Sequence, residues 1–236
     1  LYGLKRPTWA GLGLDLRGRA VVMDECFRNP RQIIEPGFNL LLGTYASKPN
    51  QIGTRGYADL STLREKNLIT QANGHIKVHF SAREGAPVSF RKCDGRSTEQ
   101  NYIAARCEQL MQEDGLLPQD ILVLTYQRRR ARELAAAISD RLGTGMVRCP
   151  FEDEAKDAIA IAPGTITVST VASSKGYDAP QVLLASVDQF PESVEGRVGF
   201  YVGCTRAREW LEVSTVEISD LAQEFEESVS ATNSGH

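Results

Sequence analysis

The sequence predicts an α/β fold in which a mainly parallel sheet carries helices on both faces. From residue 87 onward, apolar strand-like segments alternate with amphipathic helical segments, and this alternation is typical of parallel βα units. DILVLTY at 120–126 and QVLLASVD at 181–188 are nearly continuous apolar runs, as expected for strands buried on both faces. The composition, with 42% hydrophobic and 24% charged residues, is that of a globular domain. We expect a single domain over residues 1–236.

Charge and cysteine usage narrow the function classes. A net charge of −3 argues against a basic protein that coats nucleic acid, although arginines can still cluster locally. The five cysteines are scattered without a C-x-x-C pair and there are only three histidines, so neither a disulfide framework nor a metal site is expected. No apolar run reaches membrane-spanning length and no export signal opens the chain. We expect a cytoplasmic protein, and a start without Met suggests a fragment.

The N-terminal third has the weakest pattern. Residues 1–20 are rich in Gly and are predicted to be an edge or linker segment, followed by a buried strand at 20–25. Asn29 and Pro30 predict a helix start, with Asn29 as the N-cap, and Pro36 is expected to kink or end that helix. Residues 44–86 look like an insertion or elaboration, with a helix at 60–69 and an exposed strand at 75–80.

The acidic end of the first strand allows two interpretations. VVMDE could carry a magnesium ligand and a base at Asp24 and Glu25, or a plain pair of acids at a strand end. A phosphate loop of the form G-x-x-x-x-G-K-[ST] should accompany the first interpretation, and the sequence has none. We favour the strand-end pair.

The regular part of the chain predicts its elements in order. A strand at 88–93 precedes a helix that opens with a capping box from Ser97 to Gln100. The strand at 120–126 leads into a helix at 127–142 whose start carries four arginines, which are either solvated or meet an anion; we favour solvation. Further elements are strands at 146–149 and 165–170, and a tail at 217–236 predicted as a helix with a disordered end.

Two stretches carry candidate chemistry. The strand at 165–170 feeds Ser-Ser-Lys-Gly and then Asp178, which would place hydroxyls, amides and a carboxylate at the carboxyl end of the sheet, where such folds bind ligands. Residues 198–214 predict a helix carrying Arg206 and Arg208 that turns into a short buried strand. A guanidinium held by an apolar frame suits phosphate recognition. The alternative is a surface arginine on an ordinary amphipathic helix.

These stretches resemble conserved motifs of one helicase family. TVASSKGYDAPQVLL followed by FYVGCTRAREWLEV resembles motifs V and VI of superfamily 1 helicases of the UvrD/Rep/PcrA type, which read approximately T-x-H-x-x-K-G-L-E and Y-V-A/G-x-T-R-A. ECFRNPRQII resembles motif IV, DILVLTYQRRRARELAAAI resembles the strand and helix after the 2A insertion point, and the opening LYG is similar to the end of motif III. The resemblance covers most of the chain and is weakest over 44–86.

The resemblance implies a RecA-like C-terminal (2A) domain, a P-loop NTPase fold lacking its own P-loop. ATP and Mg²⁺ would be held mainly by a first RecA-like domain of the same full-length protein, so the isolated chain should be inactive. The implied residues are Arg206 and Arg28 as catalytic arginine fingers; Phe27, Lys175, Gly176 and Asp178 for nucleotide; and Thr170, Ser173 and Ser174 for single-stranded DNA.

This sequence also departs from the family pattern. Asp178 stands where the family has Glu, Phe27 where it has Tyr, and Ala172 where it has His, which removes one DNA contact. The implied function is the second motor domain of an ATP-dependent DNA helicase or translocase, with no membrane partner. The alternatives are a catalytically inert nucleic-acid-binding or regulatory RecA-like module, and part of an RNA-directed superfamily 1 motor.

Overall fold

The computed structural model describes residues 28–44, 60–72, 74–81, 83–151, 162–174 and 176–234. The predicted segment 1–20 and the strand at 20–25 lie outside these residues. The helices are α1 (Arg31–Leu42), α2 (Ser61–Glu65), α3 (Arg96–Gln112), α4 (Arg128–Leu142), α5 (Val194–Cys204) and α6 (Asp220–Asn233). The strands are β1 (Ile69–Ala72), β2 (His75–Val78), β3 (Ser89–Lys92), β4 (Ile121–Thr125), β5 (Val147–Arg148), β6 (Ile166–Thr170), β7 (Ala179–Leu184) and β8 (Ala207–Thr215).

A six-stranded sheet forms the centre, in the order β3-β8-β7-β4-β6-β5. Each neighbouring pair in this sheet is parallel. Every residue of β4 and β6 is buried, as the continuous apolar sequence of β4 predicts. The predicted α/β class with a mainly parallel sheet is therefore confirmed.

Two apolar layers hold helices against the sheet. On one face, α1, α5 and α6 pack through a cluster that includes Phe190, Phe200 and Phe225, whose ring centroids lie 5.2 Å and 4.8 Å apart in succession. On the other face, α3 and α4 bury Ile103 and Ile138 among their contacts. Full burial of each such side chain stabilises the fold by about 1.5–3 kcal/mol. Packing of apolar helix side chains on the apolar strands therefore determines how helices and sheet are layered.

The described part of 44–86 forms a small unit on α1. Strands β1 and β2 pair antiparallel, and Ile69, Ile76 and Val78 pack against Phe38 of α1. The predicted helix at 60–69 is shorter: α2 ends at Glu65, and a turn then leads into β1 at Ile69. The prediction of an exposed strand at 75–80 is wrong: β2 is largely buried and His75 bonds to Glu35 at 2.8 Å.

A kink or an end was predicted at Pro36; helix α1 runs through this residue, so the predicted end is wrong. Proline removes one backbone donor, but Ile33 before it and Leu40 after it are both in the core, and this packing holds the helix together. The helix ends at Gly43, whose φ of 68° is the left-handed conformation that favours glycine at a helix terminus.

The predicted capping box of α3 is also wrong. The helix begins at Arg96 after Gly95, without a side-chain cap. The serine caps that do form are at Ser193, which accepts from the amide of Gly196, and at Ser219, which accepts from the amide of Ala222. The predicted C-terminal helix is confirmed as α6. None of the described helices is long and apolar enough to cross a bilayer.

Candidate nucleotide and nucleic-acid sites

Three of the predicted site residues meet at one point. Arg28 lies just before α1, Asp178 just before β7, and Arg206 in the turn between α5 and β8. Nη2 of Arg28 donates to Oδ1 of Asp178, and Nη1 of Arg206 lies 3.4 Å from the same oxygen. The fold thus places two guanidiniums beside one carboxylate, although Arg28 and Asp178 are far apart in sequence.

The α5–β8 turn also holds the side chain of Arg28. Its Nη2 also donates to the carbonyl of Thr205 at 3.1 Å. Next to it, the buried Asn29 donates through Nδ2 to the carbonyl oxygens of Thr205 and Ala207. The prediction that Asn29 is the N-cap of α1 is therefore wrong. Its side chain instead joins the start of α1 to the α5–β8 turn.

Arg206 is fixed by the end of α5. The helix ends at Cys204, so the prediction that Arg206 and Arg208 lie on a helix is wrong. Nε of Arg206 donates to the carbonyl of Val202 at 3.2 Å, and its own carbonyl accepts from the amide of Ala179 in β7. These contacts direct the guanidinium towards Asp178, as expected for a side chain oriented by its support.

The three side chains differ in exposure. Side-chain exposure is 14% for Arg206, 29% for Asp178 and 42% for Arg28. The cluster carries two positive charges and one negative charge, and all three groups reach the surface. An anion can therefore approach the guanidiniums without passing through the core.

This cluster lies at the amino edge of the sheet. Because the strands are parallel, Asp178 before β7 and Arg206 before β8 lie at the opposite edge from Thr170, the last residue of β6. The prediction that the hydroxyls and the carboxylate share the carboxyl edge is right for the loop after β6 and wrong for Asp178. Residues 171–178 connect the two edges.

The three predicted DNA-binding residues lie at the end of β6 and in the loop that follows it. Oγ1 of Thr170 donates to Oγ of Ser173 at 3.0 Å, and Oγ of Ser174 donates to the carbonyl of Val171 at 2.9 Å. Thr170 and Ser174 are buried, whereas Ser173 is half-buried. Only Ser173 has its side chain near the surface, so the other two hydroxyls shape the loop.

The remaining nucleotide-binding predictions are only partly placed. Phe27 and Lys175 lie outside the described residues. Gly176 is exposed and has a φ of 89°, a conformation that other residues rarely adopt. This glycine is needed for the chain to turn between Ser174 and Asp178.

A basic and aromatic group at the carboxyl edge was missed by the sequence analysis. The guanidinium carbons of Arg128 and Arg132 lie 5.8 Å and 5.9 Å from the ring centroid of Phe151. Arg128 begins α4 directly after β4, and Phe151 follows β5, so both flank the loop after β6. The run of arginines was visible in the sequence, but its neighbour Phe151 was not.

Arg130 is fully buried, so the prediction of solvation is wrong for this arginine. It donates to Glu99 at 2.9 Å and to Oγ of Ser186 at 2.9 Å. Glu99 also accepts from the amide of Ser186 and from the hydroxyls of Ser186 and Ser214. The anion that this arginine meets is therefore an internal carboxylate, and the network joins α3, α4, the segment after β7, and β8.

Asp188 is a second carboxylate at the carboxyl edge, and its bonds link the start of α3 to the end of β8. Burial acts to raise the pKa of Asp188, but bonds from Arg96, the amide of Val216 and the hydroxyl of Thr215 outweigh it and lower the pKa below its usual value. Asp188 is thus held as an anion by donors around it. Among the described residues, no group of three acidic, His or Cys side chains could hold a metal ion.

Comparison with known proteins supports the fold. No protein-family model matches the chain, and no curated protein matches it. Among solved structures, the C-terminal domain of a possible DNA helicase from Lactobacillus plantarum WCFS1 is similar over 86% of this chain and 96% of that chain, with a TM-score of 0.55 and 13% sequence identity. Together with the six-stranded parallel sheet, this likeness supports a RecA-like α/β fold.

Proposed function

We propose that the chain is the second motor domain of an ATP-dependent DNA helicase or translocase. In this role it closes over ATP that is bound mainly by a first RecA-like domain of the same full-length protein. The observation that carries the proposal is the convergence of Arg28 and Arg206 on Asp178 at the amino edge of the sheet. The likeness to a helicase C-terminal domain agrees with it.

The donor set suits a terminal phosphate. A guanidinium is always charged and presents its N–H groups in a fixed plane that matches phosphate oxygens. A terminal phosphate carries more negative charge than the carboxylate of Asp178, and three oxygens allow it to accept from Arg28 and Arg206 together. Asp178 holds the two guanidiniums at one position, and it could also reach a ribose hydroxyl. ATP with Mg²⁺ supplies the phosphoryl group and the metal charge when bound.

In this proposal the arginines act on the reaction by electrostatics. Charge develops on the transferred phosphoryl group, and fixed cations aimed at it lower the barrier. The carbonyl oxygens of Val202 and Thr205 orient the two guanidiniums before any ligand arrives. Phe27 would stack on the adenine base of ATP, and Lys175 and Gly176 would line the nucleotide. The bound metal, the lysine of a phosphate loop and the catalytic general base are assigned to the first domain.

Single-stranded DNA is assigned to the carboxyl edge. Binding of single strands commonly combines cations that follow the backbone with aromatic rings on which bases stack. Ser173, Arg128 and Phe151 provide a hydroxyl, a cation and a ring on neighbouring segments at this edge. Thr170 and Ser174 would support the loop from inside. In this proposal the motor acts on DNA in the cytoplasm.

The decisive experiment is a steady-state, DNA-stimulated ATPase assay on the full-length parent protein. We expect Arg206→Ala and Arg28→Ala each to lower turnover by about 10³-fold, with nucleotide binding nearly unchanged. The matched control is Arg208→Ala, an exposed arginine two positions from Arg206. Unchanged turnover in the first two variants would instead favour an inert binding or regulatory module. ATP hydrolysis by the isolated chain would contradict the assignment to a second domain.

A separate measurement tests the nucleic-acid edge. Arg128→Ala should weaken binding of single-stranded DNA and reduce the salt dependence of log K by about one. Lys92→Ala removes an exposed cation from the outermost strand and serves as the control. Parallel titrations with DNA and RNA of the same sequence separate a DNA motor from an RNA-directed one. Equal salt slopes for Arg128→Ala and the unmodified protein would remove DNA from this edge.

A further inference from the structure

Asn29 is a buried polar residue that connects the backbone segments of the two proposed arginine fingers. It follows Arg28 directly in the chain. Its side-chain amide donates to the carbonyl oxygens of Thr205 and Ala207, which flank Arg206. Asn29 is 3% exposed, and both acceptor residues are buried, so water does not compete for these bonds. One side chain therefore bridges the two segments that carry the fingers.

The amide group of asparagine suits this bridge. Its nitrogen carries two hydrogens, so it can donate to two acceptors at once. The bond to the carbonyl of Thr205 is 3.1 Å long, and the second bond reaches the carbonyl of Ala207, two residues further along the chain. Because both acceptors belong to the backbone, the pair of bonds sets the position of Asn29 relative to the α5–β8 turn.

The segment after β2 also holds the backbone of Asn29. The hydroxyl of Ser81 donates to the carbonyl of Asn29 at 2.8 Å. A Cβ added to Gly85 would lie 2.5 Å from Cβ of Pro30, so this segment packs closely against the start of α1. Asn29 is thus fixed through both its side chain and its main chain.

The fingers need such a support because the contact between Arg28 and Asp178 is exposed. The side chain of Arg28 is 42% exposed, and exposed ion pairs contribute little to stability. A phosphate that binds the fingers draws Arg28 away from Asp178, whereas the buried bonds of Asn29 use backbone acceptors and stay in place. Arg28 also lies before α1 begins at Arg31, so the hydrogen bonds of the helix do not fix its backbone.

We propose that Asn29 is a positioning residue that sets the spacing of Arg28 and Arg206 for a terminal phosphate. It contacts neither ATP nor the reacting atoms, and it acts through the two arginines. This inference rests on the function proposed above, since that function assigns the arginines to catalysis.

Asn39 provides a matched control for a purely structural role. It is fully buried, and its side-chain amide donates to the carbonyl oxygens of Glu35 and Ile76. Like Asn29, it bridges two backbone carbonyls, but it joins α1 to β2. Asn39 lies roughly 12 Å along the helix from Arg31, so its loss should affect folding and leave the arginines in place.

The test is single-turnover ATP hydrolysis by the full-length parent protein with DNA present. Asn29→Ala should lower the rate at saturating ATP by about 10–100-fold, the effect expected when a catalytic group is slightly misplaced. The half-saturating ATP concentration should stay nearly unchanged. Asn39→Ala should keep its rate at a temperature where circular dichroism shows both variants folded. Ser81→Ala, which removes one bond to the backbone of Asn29, should lower the rate by a smaller factor and replaces Asn29→Ala if that variant does not fold.

Combination with the finger variants shows whether Asn29 acts through the arginines. In the Arg28→Ala and Arg206→Ala proteins, Asn29→Ala should cost a clearly smaller factor than in the unmodified protein, because one of the groups that it positions is gone. The inference is overturned if the factor is the same in all three backgrounds, if folded Asn29→Ala keeps the full rate, or if Asn39→Ala loses as much.

A crystal structure of Asn29→Ala gives a result that does not depend on activity. We expect the side chain of Arg28 to leave the carbonyl of Thr205 and the distance between the guanidiniums of Arg28 and Arg206 to change; an unchanged distance overturns the inference. Full rates in Arg28→Ala and Arg206→Ala would contradict the motor function itself. Slow finger variants beside a fully active Asn29→Ala would contradict only the role of Asn29.

Discussion

Glu99 provides a sharp test of how the sheet is held together. This carboxylate is fully buried and accepts from Arg130 and from groups of Ser186 and Ser214. Glu99→Gln keeps the shape of the side chain but removes its charge and turns one acceptor oxygen into a donor. At least one of the surrounding donors must then lose its partner, and Arg130 keeps a buried charge.

The expected magnitude follows from these contacts. Removing one partner of a buried ion pair costs about 3–5 kcal/mol. Arg130 retains a second contact, to Glu133 at 2.9 Å, whose side chain is 33% exposed. We therefore expect Glu99→Gln to lower the free energy of unfolding by about 3 kcal/mol, the lower end of that range. Glu133→Gln is the control and should cost at most about 1 kcal/mol, because exposed pairs contribute little.

Urea unfolding followed by circular dichroism measures this difference. With an m-value of about 3 kcal/mol/M, the midpoint of Glu99→Gln should fall by about 1 M. In a double-mutant cycle with Arg130→Met, the second change should cost clearly less in the Glu99→Gln background than alone. Equal midpoints for Glu99→Gln and the Glu133→Gln control would show that the buried network adds nothing to stability.

Three further predictions concern single residues. Gly196→Ala should destabilise the protein by about 1–3 kcal/mol in urea unfolding, because its new Cβ would lie 1.8 Å from a backbone oxygen. The control is Gly95→Ala, which has open space around the new Cβ and should change the free energy of unfolding by less than about 0.5 kcal/mol. Because the folded pKa of Asp188 is lowered, its stabilisation is present above the unfolded pKa and is lost as the pH falls through the folded pKa; Asp188→Asn should flatten the acid limb of stability against pH. Burial raises the pKa of Cys107 to about 12, so mass mapping after treatment with a thiol reagent should find Cys149, which is half-buried, labelled before Cys107.

The sequence predicts best what depends on local composition. Strand β4 was expected at nearly its observed bounds because a continuous apolar run leaves few alternatives to a buried strand. Strand β6 was also expected at nearly its observed bounds, and its Ile, Thr and Val residues favour a strand. Helix α4 was likewise expected, since its apolar residues recur with helical period. Each of these predictions needs only the residues of one segment.

The errors concern contacts between distant segments. Arg130 was expected to be solvated because its partner Glu99 lies in another helix, and nothing in the sequence indicates that α3 and α4 cross at those residues. Asn29 looked like an N-cap because a local pattern predicts one, but two carbonyl oxygens of the α5–β8 turn take its side-chain amide instead. In both cases a hydrogen bond to a distant segment forms instead of the interaction that the local sequence predicts.

Only part of the candidate site was predicted from the sequence, because its contacts also join segments that are distant in the chain. Arg28, Arg206 and Asp178 were each selected from their motifs, and the structure brings them together. The edge of the sheet predicted for Asp178 was wrong, because the sequence shows the connection after β6 but not its path. Phe151 was missed since a lone aromatic residue gives no pattern until its neighbours Arg128 and Arg132 are placed.

The separation of the two edges has a consequence for how a motor of this fold would work. Strand β6 ends at Thr170, one residue beyond the level of Leu184, whereas β7 begins at Ala179. At about 3.3 Å per residue, these two levels are roughly 20 Å apart. The central strands between these levels are fully buried and close-packed, and such packing resists gradual deformation. Residues 171–178 connect β6 to β7 and include both Ser173 and Asp178, and Asp178 contacts both arginines. In the proposed motor, a shift of the loop at Ser173 therefore has its shortest path to the proposed arginine fingers through this connection, and the rigid sheet is the frame against which the loop moves.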